Sequence, residues 1–407
     1  MWKFFSLSVL LIYCNLLSFS QEEYIEATIA RNNAFSFKYF SLLNKPAENT
    51  VISPFGASCL MAMAYIGSEG NTQTEIARSM NFITPYGILF SYKQLIKRYQ
   101  TSKSNDVDLF IGNAFWNNSE ILVQKKYKNL LKVNFGAHVE DLQFLNDDEN
   151  NLKTINRWVK KSSNYNILNI VGTHDIDAES NLVYTNYFFL NGNWDNPFDE
   201  QFTRKDDFVK SDSSKIKVDF MSQTSYLKYN ENEVFQILEM PYSTGNLSLV
   251  LIMPKQDYNL DSIYASFNAF NFNFWTNELY LKLVNLSIPK FRIESTTELS
   301  PLLVSDGCKL PFSAMADFSR ITDKKTHISS LIQKTVISIE ENKNKNLTEQ
   351  VISEDKSFLN KDNTFVSFKA NKPFIFVIKD NLNSNILALG KVILPTYENL
   401  SVDFNNN

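Results

Sequence analysis

From Pro54 to Gly67 the chain carries no charged side chain and offers no face that could meet water. Ser53-Pro54 supplies an N-cap and a proline at the first helical position, and Gly67 closes the stretch. The segment therefore predicts a helix running through Met61, Met63 and Tyr65. A helix apolar on every side must be enclosed by other elements. The rest of the chain can supply that cover, because 44% of its 407 residues are hydrophobic. That content also excludes wholesale disorder. Eleven glycines and eleven prolines exclude collagen-like and proline-rich architectures.

No internal repeat, Gly/Ser linker or block of like charge divides the chain. Ile25, Ile29, Phe37 and Phe40 predict a helix over 24–44. Thr72 with Glu75 predicts a capping box for the next helix. A strand is expected over 108–116, and an amphipathic helix over 151–162 with Ile155 and Val159 on one face. Residues 182–190 lack alternation and predict a strand buried on both faces. Further strands are predicted over 235–239, 247–253, 279–288, 335–339, 365–369, 374–378 and 386–392, punctuated by Pro241, Gly245, Pro254, Pro289 and Pro373. Helices first and mostly strands later, with no linker, argue for one large α+β domain.

Residues 1–20 read as a secretory signal. Lys3 supplies the basic region, residues 4–19 the apolar run, and Ser18-Phe19-Ser20 the small-residue cleavage site, so the mature chain starts at Gln21. A membrane anchor is the alternative, but the run is short and Asn15 interrupts it. The expected location is extracellular. Cys14 leaves with the leader, and the apolar surroundings of Cys59 and Cys308 predict two buried free thiols rather than one bridge. Asn117, Asn246, Asn285, Asn346 and Asn399 each begin an Asn-x-Ser/Thr acceptor triplet for glycosylation.

Enzyme motifs are missing: there is no Gly-x-Ser-x-Gly elbow, phosphate loop or dinucleotide glycine fingerprint. His138, His174 and His327 lack metal-ligand spacing, so neither a metal nor a cofactor is expected. A triad using one of these histidines stays open beside the structural reading. Forty basic against 44 acidic side chains leave −4, which gives no nucleic-acid footprint. Lys125, Lys126, Lys128 and Lys132 form the best basic cluster, either a polyanion site or a solvated helix face. No membrane partner is expected, and the chain should be a monomer.

Several segments together resemble the serpin family (serine protease inhibitors) over essentially the whole mature length. Asn49-Thr50-Val51-Ile52-Ser53-Pro54, running on to Gly67, resembles the family's second helix and its approach. Ile155-Asn156-Arg157-Trp158-Val159 is similar to the helix that crosses the main sheet. Residues 185–194, with Phe198 and Thr203, resemble a central strand and its turn. Ile288-Pro289-Lys290-Phe291, Asp317-Phe318-Ser319, Lys372-Pro373-Phe374-Ile375-Phe376 and Gly390-Lys391-Val392 with Pro395 resemble later landmarks. The resemblance implies a single domain over 21–407 with about nine helices, three β-sheets and an exposed reactive-centre loop over 342–364. It further implies that a protease cleaves the loop, which then enters the main sheet as a new strand, a known instance of strand addition. Inhibition is then a race between insertion and hydrolysis of the acyl-enzyme, whose protease would be an extracellular serine (or cysteine) endopeptidase.

Lys334-Thr335-Val336-Ile337-Ser338-Ile339-Glu340-Glu341 resembles the strand feeding that loop, with Glu341 at the family's hinge glutamate. The family's spacing puts the scissile bond at Ser357-Phe358, with Lys356-Ser357 the alternative for a trypsin-like enzyme. The hinge departs from the inhibitory pattern of glycine, threonine or serine, then small residues. Lys343 replaces the glycine, removing backbone latitude at roughly 1 kcal/mol. By the family's register Asn344, Asn346, Thr348 and Gln350 would face the core, at ~1–3 kcal/mol for each amide left without a partner. Lys343, Lys345 and Glu349 would face solvent. A glycan on Asn346 would block insertion outright. A few kcal/mol on the insertion barrier changes its rate by ~10²–10³, so the chain is expected to be non-inhibitory or a substrate-like weak inhibitor, with a working suicide inhibitor as the alternative. Ser53 and Asn186 match the family's polar shutter, Gln333 stands where histidine is usual, and Trp194 matches the tryptophan at the top of the main sheet.

Overall fold

Pro54 opens a helix whose first turn is closed by the Ser53 hydroxyl, which accepts from the Gly56 N–H at 3.1 Å. Every residue of this helix, Pro54–Gly67, is buried, as its lack of a polar face requires. The computed structural model describes residues 21–43, 47–101, 106–144, 148–341 and 365–397. Nine α-helices lie among the described residues: α1 (Gln21–Leu42), α2 (Pro54–Gly67), α3 (Gly70–Met80), α4 (Pro85–Thr101), α5 (Lys125–Phe135), α6 (Asp148–Ser162), α7 (Leu260–Tyr264), α8 (Ala269–Asn277) and α9 (Ser300–Ser305). None of the described helices is long and apolar enough to cross a membrane.

Among the described residues, fourteen strands form two sheets. The main sheet has five strands, in the order β10 (Phe291–Glu298), β11 (Ile328–Ile339), β4 (Leu182–Gly192), β2 (Val107–Asn118) and β3 (His138–Leu142). The larger sheet has nine: β1 (Thr50–Ile52), β14 (Ile386–Val392), β13 (Phe374–Asp380), β8 (Leu247–Pro254), β7 (Phe235–Pro241), β6 (Lys215–Glu231), β9 (Tyr280–Pro289) and β12 (Val366–Lys369), with β5 (Arg204–Val209) on β6. Two sheets appear where three were expected, because β6 serves both halves of the larger one. It pairs with β5 and then β9 along most of its length, and with β7 through residues 228–231.

The main sheet separates two apolar clusters. Below it, α2 fills the centre of the larger core, packed between the two sheets. Above it, Ile155 and Val159 of α6 close a smaller core over Val183, Tyr187, Phe189, Ile332 and Val336. This explains why β4 is buried almost throughout.

The expected capping box on α3 does not form. Glu69 takes the N-cap without a side-chain capping bond, while Thr72 and Glu75 bind another segment. The Thr72 hydroxyl accepts from the Asp317 N–H at 2.9 Å, and the Glu75 carboxylate accepts from the N–H groups of Lys309 and, at 2.7 Å, Leu310. Tertiary partners have claimed both side chains. Cys59 and Cys308 are buried and free, as expected.

Gly390 marks the closest approach between β14 and its neighbours. A Cβ there would lie 2.4 Å from the Thr50 carbonyl oxygen and 2.6 Å from the Phe376 ring. Gly390→Ala should destabilise the chain by about 1–3 kcal/mol, the usual penalty for overpacking. An unchanged denaturation midpoint would contradict this packing.

Candidate functional site

β4 and β11 run parallel and pair from Leu182 opposite Ile328 to Leu190 opposite Ile337. Their other neighbours, β2 and β10, are antiparallel to them. Parallel pairing is slightly weaker per residue, and the second parallel pair, β2 with β3, lies at the sheet's edge. The centre of the sheet thus contains one seam that an extended segment could enter antiparallel to both sides. On the lower face Phe188, Leu190, Ile337 and Ile339 flank its upper end, all essentially inaccessible to solvent. On the upper face the seam is roofed by α6 and by Ile167, Ile170, Val171 and Ile176.

A chain of hydrogen bonds fastens the seam from below. The Gln333 carboxamide accepts from the Ser53 N–H (3.2 Å) and donates to the Ser53 carbonyl (2.8 Å) and to Asn186 Oδ1 (3.1 Å). Asn186 donates to Asn113 Oδ1 (2.9 Å) and the Gly112 carbonyl (3.1 Å), and Asn113 donates to the Phe135 carbonyl (3.0 Å). The Ser53 hydroxyl donates to the Leu387 carbonyl at 2.7 Å. The cluster ties β2, β4, β11, β14 and the start of α2 together. The Gln333 amide nitrogen thus donates to two acceptors within this cluster. Gly56 makes room for it, since a Cβ there would fall 2.0 Å from Asn186 Oδ1.

The top of the seam is fastened separately. Trp194 stacks on Tyr242 with centroids 4.6 Å apart, and its Nε1 donates to the Glu340 carbonyl at 2.8 Å. The Glu340 carboxylate accepts from Asn191 (2.6 Å) and from the Tyr397 hydroxyl. Glu341 is buried, bound by the Thr203 hydroxyl (2.6 Å) and the Lys290 ammonium (2.6 Å). Burial pushes its carboxyl up, but Lys290 and Thr203 outweigh burial and hold it below its ordinary value. The sequence reading missed the roles of Asn113, Asn191, Thr203 and Lys290. Thr203 and Lys290 sit inside recognised segments, yet only the fold brings them to Glu341.

Ser53, Asn186, Gln333, Trp194 and Glu341 therefore line one seam. Lys343, Asn344, Asn346, Thr348, Lys356, Ser357, Phe358 and Asn399 lie outside the described residues. The described chain resumes at exposed Phe365, before β12 pairs in parallel with β9.

Of the glycosylation candidates, Asn246 and Asn285 are exposed. Asn117 is not a candidate in the folded chain: it is 0% exposed, and its amide donates to the carbonyls of Asn118 and Ile121. In the lysine cluster Lys125, Lys126 and Lys132 are exposed on α5, while Lys128 is bound to Asp141 at 2.5 Å. His138 hydrogen-bonds Glu140 at 2.7 Å and packs against Trp116 and Trp158, a structural placement.

The family profile described as Serpin (serine protease inhibitor) matches residues 30–395. An uncharacterised serpin-like protein of Methanosarcina mazei is 30% identical over 377 residues, 90% of this chain and 87% of the relative. The leukocyte elastase inhibitor of Sus scrofa is 26% identical over 382 residues, 91% of this chain and all of the relative. Human thyroxine-binding globulin, solved in complex with thyroxine, superposes with a TM-score of 0.82 at 24% identity, over 92% of this chain and 100% of that one.

Glu341 has a pH signature. Its carboxyl lies below its unfolded value of about 4.3, so its contribution is complete above that pH and is lost as pH falls through the folded value. Glu341→Gln should therefore lower stability most at neutral pH, and its deficit should shrink below about pH 4. Denaturation series at several pH values check this; a deficit constant with pH would contradict the assignment.

Proposed function

The chain belongs to the serpin family, and from that premise we propose that it is a secreted serpin whose loop is cut as a substrate rather than inserted as an inhibitory strand. The observation carrying this reading is the apolar lining of the seam's upper end. An inserted strand would bring Asn344, Asn346, Thr348 and Gln350 against Phe188, Leu190, Ile337 and Ile339, which offer no side-chain polar partner. The buried Thr335 hydroxyl, which has no hydrogen-bond partner, could serve one amide at most. At ~1–3 kcal/mol for each unsatisfied amide, insertion slows enough for acyl-enzyme hydrolysis to win. The leader-like residues 1–20 and the exposed acceptors Asn246 and Asn285 support secretion. Such a protein would act as a binding, carrier or decoy protein, and the exposed lysines of α5 would be its polyanion contact.

The second reading is a suicide inhibitor of an extracellular serine or cysteine endopeptidase, cleaved at Lys356-Ser357 or Ser357-Phe358. It is favoured by the seam itself, since an entering antiparallel strand would exchange one parallel pairing for two antiparallel ones.

Limited proteolysis within 342–364 separates the two readings. Nicked protein should melt within a few degrees of the intact chain and form no SDS-stable protease adduct. A gain of tens of degrees with a stable adduct would establish the inhibitor instead. The combined variant Lys343→Gly, Asn344→Thr, Asn346→Ala should gain both the thermal shift and the adduct if the hinge is the obstacle. Mass spectrometry of the Asn346 peptide tells whether a glycan contributes.

A further inference from the structure

Arg292 on β10 pairs with Ser338 on β11. Alternation along β11 puts both on the side of Val336, the side that α6 covers. From there the arginine does not stop at the neighbouring strand. Its guanidinium lies over the Phe189 ring of β4, 5.7 Å from the centroid, and Nη2 donates to the Asn166 carbonyl at 3.0 Å. Because β11 separates β10 from β4, the side chain crosses β11 and reaches the far side of the seam. Ser338, which it passes, is buried and small. Asn166 lies between the end of α6 and the roofing residues Ile167 and Ile170. One side chain therefore joins β10, β4 and the roof.

We propose that Arg292 is a strap across the seam, a third fastening that sets how readily β4 and β11 part. It acts at the level of Val336 and Phe189, between the Gln333 cluster and the Trp194 clamp. Admitting a strand would carry Phe189 away from β10 by about 4.8 Å. That takes the ring beyond the roughly 6 Å over which a guanidinium is held, so the strap must release the ring before the seam can open. The charges around Arg292 do not compete for it. Glu294, Glu340 and Tyr397 act on it through space while bonded elsewhere: Glu294 to Lys334 at 2.9 Å, and Glu340 to Asn191 and the Tyr397 hydroxyl. The Lys334–Glu294 pair shares the upper face but joins only β10 to β11, so it does not span the seam. The strap belongs to the intact chain and is independent of the fate of residues 342–364.

Hydrogen exchange of the intact mature chain at pH 7, read by mass spectrometry on peptides from β4, β11, β8 and β13, tests the strap. Arg292→Met keeps an unbranched side chain and removes its charge and donors. It should speed exchange in β4 and β11 about tenfold, the effect of losing a partly desolvated cation–ring contact with its hydrogen bond. β8 and β13, in the larger sheet, should keep native rates. Arg292→Lys keeps a charge for the ring but loses the fork that reaches Asn166. Its increase should be smaller and confined to the same two strands, and it decides the question if Arg292→Met does not fold. Glu294→Gln, which breaks the pair that stays on one side of the seam, should leave all four strands at native rates. In a Phe189→Leu background Arg292→Met should add less than it does alone, because the ring is already gone. Unchanged exchange in β4 and β11, equal acceleration in all four strands, an equal effect of Glu294→Gln, or full additivity with Phe189→Leu would each overturn the proposal.

Discussion

Two strands running the same way hold the middle of the main sheet, and the functional reading turns on what can part them. β4 and β11 are joined by a parallel ladder, clamped below by the Gln333 cluster and above by Trp194, Asn191, Thr203 and Lys290 acting on Glu340 and Glu341. The clamps sit at different depths, so opening the seam means breaking polar contacts in sequence rather than peeling one apolar surface. Under them α2 presents a rigid apolar floor; above, α6 supplies a roof. In the proposed reading an entering segment must satisfy the apolar lower face of the seam, which is why the side chains at 343–349 carry weight.

The glutamine at position 333 leaves the lower clamp without a titratable side chain. A histidine there would titrate near neutral pH, whereas a carboxamide has no charge to gain. None of the groups in its three bonds to Ser53 and Asn186 titrates between mildly acid and neutral pH. The seam's lower clamp is therefore indifferent to pH, and Glu341 at the upper clamp responds only in the carboxylate range.

Strong periodicity and composition made much of the fold legible. α2, β4, β8, β13 and β14 are runs of apolar residues buried on all or both sides, and such runs announce themselves. β11 was visible only from Thr335 onward, because Ser329, Ser330, Gln333 and Lys334 break its apolar pattern. Those are positions where it meets polar partners, as where the Lys334 ammonium reaches the Glu294 carboxylate at 2.9 Å. β5, the long β6 and β10 were missed for a similar reason: each exposes one side and mixes charge into its alternation. Thr72, Glu75 and Asn117 misled because a local motif says nothing about which distant backbone will claim the side chain. Site residues embedded in recognisable segments could be found, whereas the pairing of Lys290 and Thr203 with Glu341 is a property of the assembled fold.

The two free thiols have a consequence for how this chain ages. Cys59 lies inside α2, and burial pushes its thiol well up, as it does that of Cys308, to about 12. The reactive thiolate is thus suppressed in the native state, and neither sulfur staples the fold. Unfolding removes that protection. In an oxidising medium a briefly melted molecule can cross-link before it refolds, so durability is set by how seldom the core opens.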